Sequence, residues 1–184
     1  RSHVMSMPDK YGCTPLHWTT HPARINDSSI ETLMDLLPES ERFQVVSVQD
    51  EWGMTALHYA VKLHNRNYIK IILSKLPESQ RSKVVGLQYN RDGSTILHWA
   101  ADADDLESIK TILGLLPESH RLQVVSVQDT NGITVLHYAS SAICDLIKEL
   151  LRKPRRSPRA KRLHSHGRVD EAGRELPEAK RQRS

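Results

Sequence analysis

Along this chain, short polar stretches containing Gly alternate with runs whose apolar residues fall at helical spacing, and the alternation is periodic. The strings Thr14-Pro15-Leu16-His17, Thr55-Ala56-Leu57-His58, Thr95-Ile96-Leu97-His98 and Thr134-Val135-Leu136-His137 recur at intervals of 41, 40 and 39 residues. In the second unit, Asp50-Glu51-Trp52-Gly53 suits a tight turn, because Asp can bond its own backbone and Gly accepts a positive φ. Thr55 then stands where it can cap a first helix, with Leu57 and Ala60 on one face. A second helix follows, carrying the apolar stripe Tyr68, Ile69, Ile72, Leu73 and Leu76 and ending before Pro77. Repetition on this scale predicts a stack in which each unit buries its apolar face against its neighbours.

A third segment sits between the second helix and the next turn. It runs Leu37-Pro38-Glu39-Ser40-Glu41-Arg42 into Val45, Val46 and Val48, and returns from Leu76 and from Leu116. Pro at the first helical position followed by Glu predicts a short third helix packed on the outer layer. Its β-branched content makes an extended strand-like segment the alternative. The units are expected at 9–49, 50–89, 90–128 and 129–151, after a lead-in or cloning remnant at 1–8 and ahead of a tail at 152–184.

Charge separates stack from tail. Residues 1–151 hold 14 Lys/Arg and 18 Asp/Glu, whereas 152–184 hold 12 and 4. The tail has no Ile, Phe, Tyr or Trp, so it cannot bury enough apolar area to offset its ordering entropy and is expected to be disordered. Two cysteines, Cys13 and Cys144, exclude a disulfide framework and fit a reducing compartment. No stretch approaches the roughly 20 apolar residues of a membrane span.

The motif Asp-x-x-Gly-x-Thr-x-Leu-His-x-Ala, read in Asp9 to Trp18, Asp50 to Ala60, Asn90 to Ala100 and Asp129 to Ala139, resembles the ankyrin repeat. The resemblance covers residues 9–151 and implies an all-α solenoid of stacked helix pairs, here with an extra short helix per repeat. It also implies that projecting turns and the inner helix face bind protein partners. Ankyrin units usually run about 33 residues, so the third segment is this chain's departure from the pattern.

Stacked helices lie about 8–10 Å apart, so His17, His58, His98 and His137 cannot share one metal ion with ligand bonds of about 2 Å. They are expected to be structural. The residues after them, Trp18, Tyr59, Trp99 and Tyr138, form an aromatic ladder, expected as core with ring edges reaching the groove; the alternative is an exposed anchoring stripe. Turn tips vary between units, which marks Tyr11, Glu51, Trp52, Met54, Arg91, Asp92 and Asn131 as candidate contacts, with Trp52 beside Met54 as the anchor. Lys62, Asp102 and Asp104 on the inner face are expected to set charge preference, favouring a basic or amphipathic protein segment. No catalytic residue, cofactor or metal is expected, since no nucleophile stands beside a base and no phosphate loop is present.

In the tail, Lys153, Arg155, Arg156, Arg159, Lys161 and Arg162, with Lys180, Arg181 and Arg183, form cationic clusters similar to nuclear import signals. Such clusters would thread along an import receptor's acidic groove, hold nucleic acid or an acidic membrane surface without sequence preference through counterion release, or serve as a solvated linker to a further domain. The resulting expectation is a monomeric interaction module of the cytoplasm or nucleus. The alternative is the targeting arm of a larger enzyme, or a secreted bacterial effector acting in a host cell.

Overall fold

The computed structural model describes residues 7–20 and 27–152, so everything expected of Lys153 onward lies outside the described residues. Each unit lays down an inner helix and an outer helix, and the first three add a third. The first unit has α1 (Pro15–Trp18), α2 (Asp27–Leu36) and α3 (Glu39–Val46). The second has α4 (Ala56–Lys62), α5 (Arg66–Lys75) and α6 (Glu78–Val85). In the third come α7 (Ile96–Asp102), α8 (Leu106–Gly114) and α9 (Glu118–Val125), and in the fourth α10 (Val135–Tyr138) and α11 (Ser141–Leu151). Among the described residues the only β-type pairing outside helices is one isolated bridge, Gln128 with Thr134. The fold is the all-α solenoid expected.

Helix packing follows the apolar periodicity. Leu57, Tyr68, Ile69, Ile72 and Leu73 are fully buried, as are Leu97, Ile109, Ile112 and Leu113 in the next unit. Burying each such side chain contributes roughly 1.5–3 kcal/mol relative to leaving it exposed. The inner helix is turned into the outer one by a single left-handed residue, His64 at φ 52° and Asp104 at φ 51°. The next residue then caps the outer helix: Asn65 accepts from the Tyr68 N–H at 3.1 Å and Asp105 from the Ser108 N–H at 3.0 Å.

The third segment is helical in all three copies, and the extended alternative is set aside. Pro38, Pro77 and Pro117 take the N-cap at φ −54°, one place earlier than the first helical position expected of them. Val45, Val46, Val84, Val85, Val124 and Val125 are buried beneath. The Arg in each copy performs a task that the sequence reading missed. Arg42 donates from Nε to the Leu37 carbonyl at 3.2 Å, and from Nη1 to the Lys75 carbonyl of the next unit at 3.0 Å. Arg81 does the same to Leu76 and Leu115, and Arg121 to Leu116 and Leu150. The planar guanidinium fork thus satisfies helix-end carbonyls that have no partner inside their own helices, and it ties one unit to the next. A parallel row of glutamines runs below the turns: Gln49 Nε2 donates to the carbonyls of Gly53 and Gln88, and Gln88 Nε2 to those of Gly93 and Gln128, all at 2.8–2.9 Å.

Candidate functional site: an aromatic pocket beneath the first two turns

The turns are built by their aspartates. Asp50 Oδ1 accepts from the Trp52 N–H at 3.0 Å and the Met54 N–H at 2.9 Å, which folds the loop over Gly53 at φ 82°. Asp9 and Asp129 hold their loops in the same way. The other carboxylate oxygen reaches the aromatic residue nine positions on: Trp18 Nε1 donates to Asp9 at 3.1 Å, Tyr59 Oη to Asp50 at 2.6 Å, and Tyr138 Oη to Asp129 at 3.0 Å. The third turn departs from the expected register. It closes on Tyr89 in place of Asn90, through Tyr89 N–H to the Ser94 carbonyl at 2.7 Å. Trp99 accordingly packs edge to face on Tyr89, ring centroids 5.3 Å apart, with no carboxylate to hold it.

The histidines are scaffold. In every copy Nδ1 lies 3.1–3.2 Å from the backbone N–H of the Thr three residues earlier. A backbone N–H can only donate, so Nδ1 accepts and the proton sits on Nε2. His17 Nε2 then donates to the Met54 carbonyl and His98 Nε2 to the Ile133 carbonyl, each at 3.1 Å and each in the following unit. His58 faces the longer third turn, where its buried Nε2 lies toward the Ser94 backbone without a well-formed hydrogen bond. Burial pulls the His58 pKa down to about 4 and lowers those of His17 and His98 as well, so all three are neutral at pH 7. Each ring also meets the edge of the next unit's aromatic residue: His17 with Tyr59, His58 with Trp99, and His98 with Tyr138, at centroid separations of 5.4–6.1 Å.

This arrangement leaves the aromatic ladder half-buried instead of enclosed, with Trp18 44% and Tyr138 36% exposed. Between the first two units it opens a cavity of about 410 Å³, lined by Tyr11, Cys13, Trp18, Trp52, Tyr59 and Lys62, together with His17, Thr20 and Leu63. Tyr11 and Trp52 lie nearly parallel, centroids 6.5 Å apart, at the tips of adjacent turns. The Glu51 N–H donates to the Tyr11 carbonyl at 2.9 Å, which locks the two tips together. The surroundings are negative. Burial pushes the Cys13 thiol up to about 11, and the carboxylates of Asp50, Asp9 and Glu51 push it the same way. A thiol so raised is protonated at pH 7 and a poor nucleophile.

The sequence-derived candidates therefore divide. Tyr11, Trp52 and Lys62 meet around the cavity, and Glu51 stands exposed beside it. Met54 is no anchor: it is only 6% exposed, since the turn that presents Trp52 folds the next side chain inward, and its carbonyl serves His17. Asp92 is partly buried and structural. Its side chain accepts from the Ser94 N–H at 2.8 Å and its carbonyl from the N–H and hydroxyl of Thr130. Arg91, Asp102, Asp104 and Asn131 are exposed on the third and fourth units, and none of them lines the cavity. Asp105 and Glu107 of the third unit are engaged by the second, Asp105 with His64 at 2.8 Å and Glu107 with Arg66 at 3.8 Å. Trp18 and Tyr59 belong to the site as partly exposed members of the aromatic ladder, and Cys13 joins them from the first turn.

Among the described residues no group of three or more His, Cys, Asp or Glu is placed to hold a metal ion, and no helix is long and apolar enough to cross a membrane. No curated protein matches the chain. The family profile described as ankyrin repeats (3 copies) matches residues 23–123. With that match over more than half of the sequence, and with four turn, helix, helix units in register, the chain belongs to the ankyrin repeat family.

Proposed function

We propose that this chain is a protein-interaction module whose main anchor site is the cavity between the first two turns. Ankyrin repeats bind protein partners, and the observation that carries the finer reading is the convergence of Tyr11, Trp18, Trp52 and Tyr59 on one open space of about 410 Å³. Aromatic side chains held in place by hydrogen bonds give large contact area at little entropic cost, which is why such residues dominate binding energy. Asp9, Asp50 and Glu51 favour a partner segment that sets Lys or Arg beside an aromatic or long aliphatic side chain. A peptide-display library selected on the full chain tests this. Enriched peptides should combine those residue types, and Trp52→Ala should weaken them by about 30-fold or more, the effect of losing about 2 kcal/mol. Enriched peptides that bind Trp52→Ala as tightly as the parent chain refute it.

The cationic clusters at Lys153, Arg155, Arg156, Arg159, Lys161, Arg162, Lys180, Arg181 and Arg183 support a second element of the reading, address to the nucleus through an import receptor. A fluorescently tagged chain should lose nuclear accumulation when Lys161 and Arg162 are both replaced by Ala. Unchanged distribution removes the import role and leaves non-specific anion binding or a solvated linker as the use of the tail.

A further inference from the structure

The inter-unit contact has a direction. The forward faces of the first three units carry donors, Arg Nη1 at every junction and His Nε2 at the first and last, and the backward face of the next unit carries the carbonyls that receive them, Met54 and Lys75 for the first junction, Leu115 for the second, Ile133 and Leu150 for the last. At the two ends of the stack these halves have no counterpart among the described residues. At the forward end Leu136 is 42% exposed, although its equivalents Leu16, Leu57 and Leu97 are completely buried. Leu122 is 62% exposed where its counterparts, Phe43 packed against the core and Ser82 at 8%, are covered by a following unit. His137 stands where His17 and His98 stand, and among the described residues no carbonyl takes its Nε2 proton.

The backward end is complementary. Leu36, equivalent to the packed Leu115 and Leu150, is 65% exposed and borders a hollow of about 340 Å³ with Ser28, Ser29, Thr32 and Leu33. Trp18 is the one member of the ladder with no preceding His ring against it. Among the described residues the Cys13 carbonyl accepts only the Asp9 N–H, where Met54 accepts both the Asp50 N–H and His17. A carbonyl oxygen has a second lone pair to offer.

We propose that these two faces bind each other between copies of the chain, so that the protein associates head to tail. The contact continues the inter-unit interface, whose ring contact is made three times within the stack and whose His donation is made twice: His137 Nε2 donates to the partner's Cys13 carbonyl, its ring packs on the partner's Trp18, and Leu122 and Leu136 cover the apolar face around the partner's Leu36. Such an interface is heterologous and leaves a free face on every added copy, so it builds open chains. This departs from the monomer expected from the sequence.

Sedimentation velocity on the full chain, from about 1 μM to about 1 mM, the range in which a modest interface populates, gives the test. The average mass should climb with concentration beyond twice the 21.0 kDa of one chain. Leu136→Glu blocks the forward face and Leu36→Glu the backward face. Both positions are solvent-exposed, and thermal unfolding confirms that each variant folds. Each variant alone should stay monomeric, and an equimolar mixture should give a complex of two chains and no larger species, because only one pair of intact faces remains. A wild-type chain that stays monomeric throughout, a variant that still self-associates, or a mixture that stays monomeric overturns the proposal.

Discussion

Replacing Arg81 by Ala should cost the stack about 2–3 kcal/mol, although a partly exposed arginine on a short outer helix would ordinarily be treated as surface. The guanidinium donates to the Leu76 carbonyl and to the Leu115 carbonyl of the next unit, each at 3.0 Å. Hydrogen bonds from a charged donor contribute about 1.5–3 kcal/mol apiece, and the lower end applies here because the side chain is only partly buried. Both acceptors sit at the ends of outer helices, where no intrahelical N–H is available, so the substitution leaves them unsatisfied. Urea unfolding of the full chain, followed by circular dichroism, reads the effect as a midpoint lowered by about 1–2 M for slopes in the usual range. Arg81→Lys should recover less than half of the loss, since a single ammonium cannot span both carbonyls. Lys83→Ala, exposed on the same helix, should stay within about 0.5 kcal/mol of the parent. Because Arg81 bridges two units, its removal can also split the transition into two as the neighbours uncouple. A variant that unfolds as one step within about 0.5 kcal/mol of the parent, or full rescue by Lys, would refute the staple role.

Acid should unfold the stack through its buried histidines. His58 falls from 6.5 when unfolded to about 4 when folded, so between these values the unfolded chain binds more protons. Stability is therefore complete above about pH 6.5 and declines as pH drops toward 4, by up to about 3 kcal/mol from His58 alone. His17 and His98 act in the same direction, and urea midpoints across pH 7.5 to 4.5 that stay flat would contradict the burial argument. Gly12→Ala should be far more damaging than Gly132→Ala. Both glycines have positive φ, but a Cβ on Gly12 meets the Asp50 Cα and Glu51 N at 2.9 Å, while nothing lies within 4 Å of one on Gly132. Thermal melts should show a loss of about 1–2 kcal/mol for Gly132→Ala from φ alone, and clearly more for Gly12→Ala. Equal losses would mean that the turn tips are not in contact.

The elements that could be read from the sequence are those whose residues do the same thing in every copy. Thr, Leu and His recur because a cap, a buried side chain and a donor are needed at each junction, and the stripe from Tyr68 to Leu76 repeats because each outer helix buries one face. The arginines and glutamines recur just as regularly, but a charged or polar residue in a short polar helix resembles a solvated one until its distance to the next unit's carbonyls is measured. Their invariance beside variable neighbours, Glu41, Gln80 and His120, was the available clue. Trp52 and Tyr11 were each visible as tip residues. That they lie over a common cavity with Trp18 and Tyr59 depends on the stacking offset between units, which no single unit encodes. Met54 failed because apolarity at a loop position does not say which way the loop turns it.

The staples also bear on how such a sequence arises. The segments Leu37 to Asp50 and Leu116 to Asp129 differ at only two positions, Glu41 against His120 and Phe43 against Leu122. Each of the first three units brings its own Arg donor on one side, and each following unit the bare carbonyl that receives it. A tandem copying event of some forty codons in the gene would therefore deliver a new unit with both halves of its joints in place, and no second mutation would be required before the longer chain could fold.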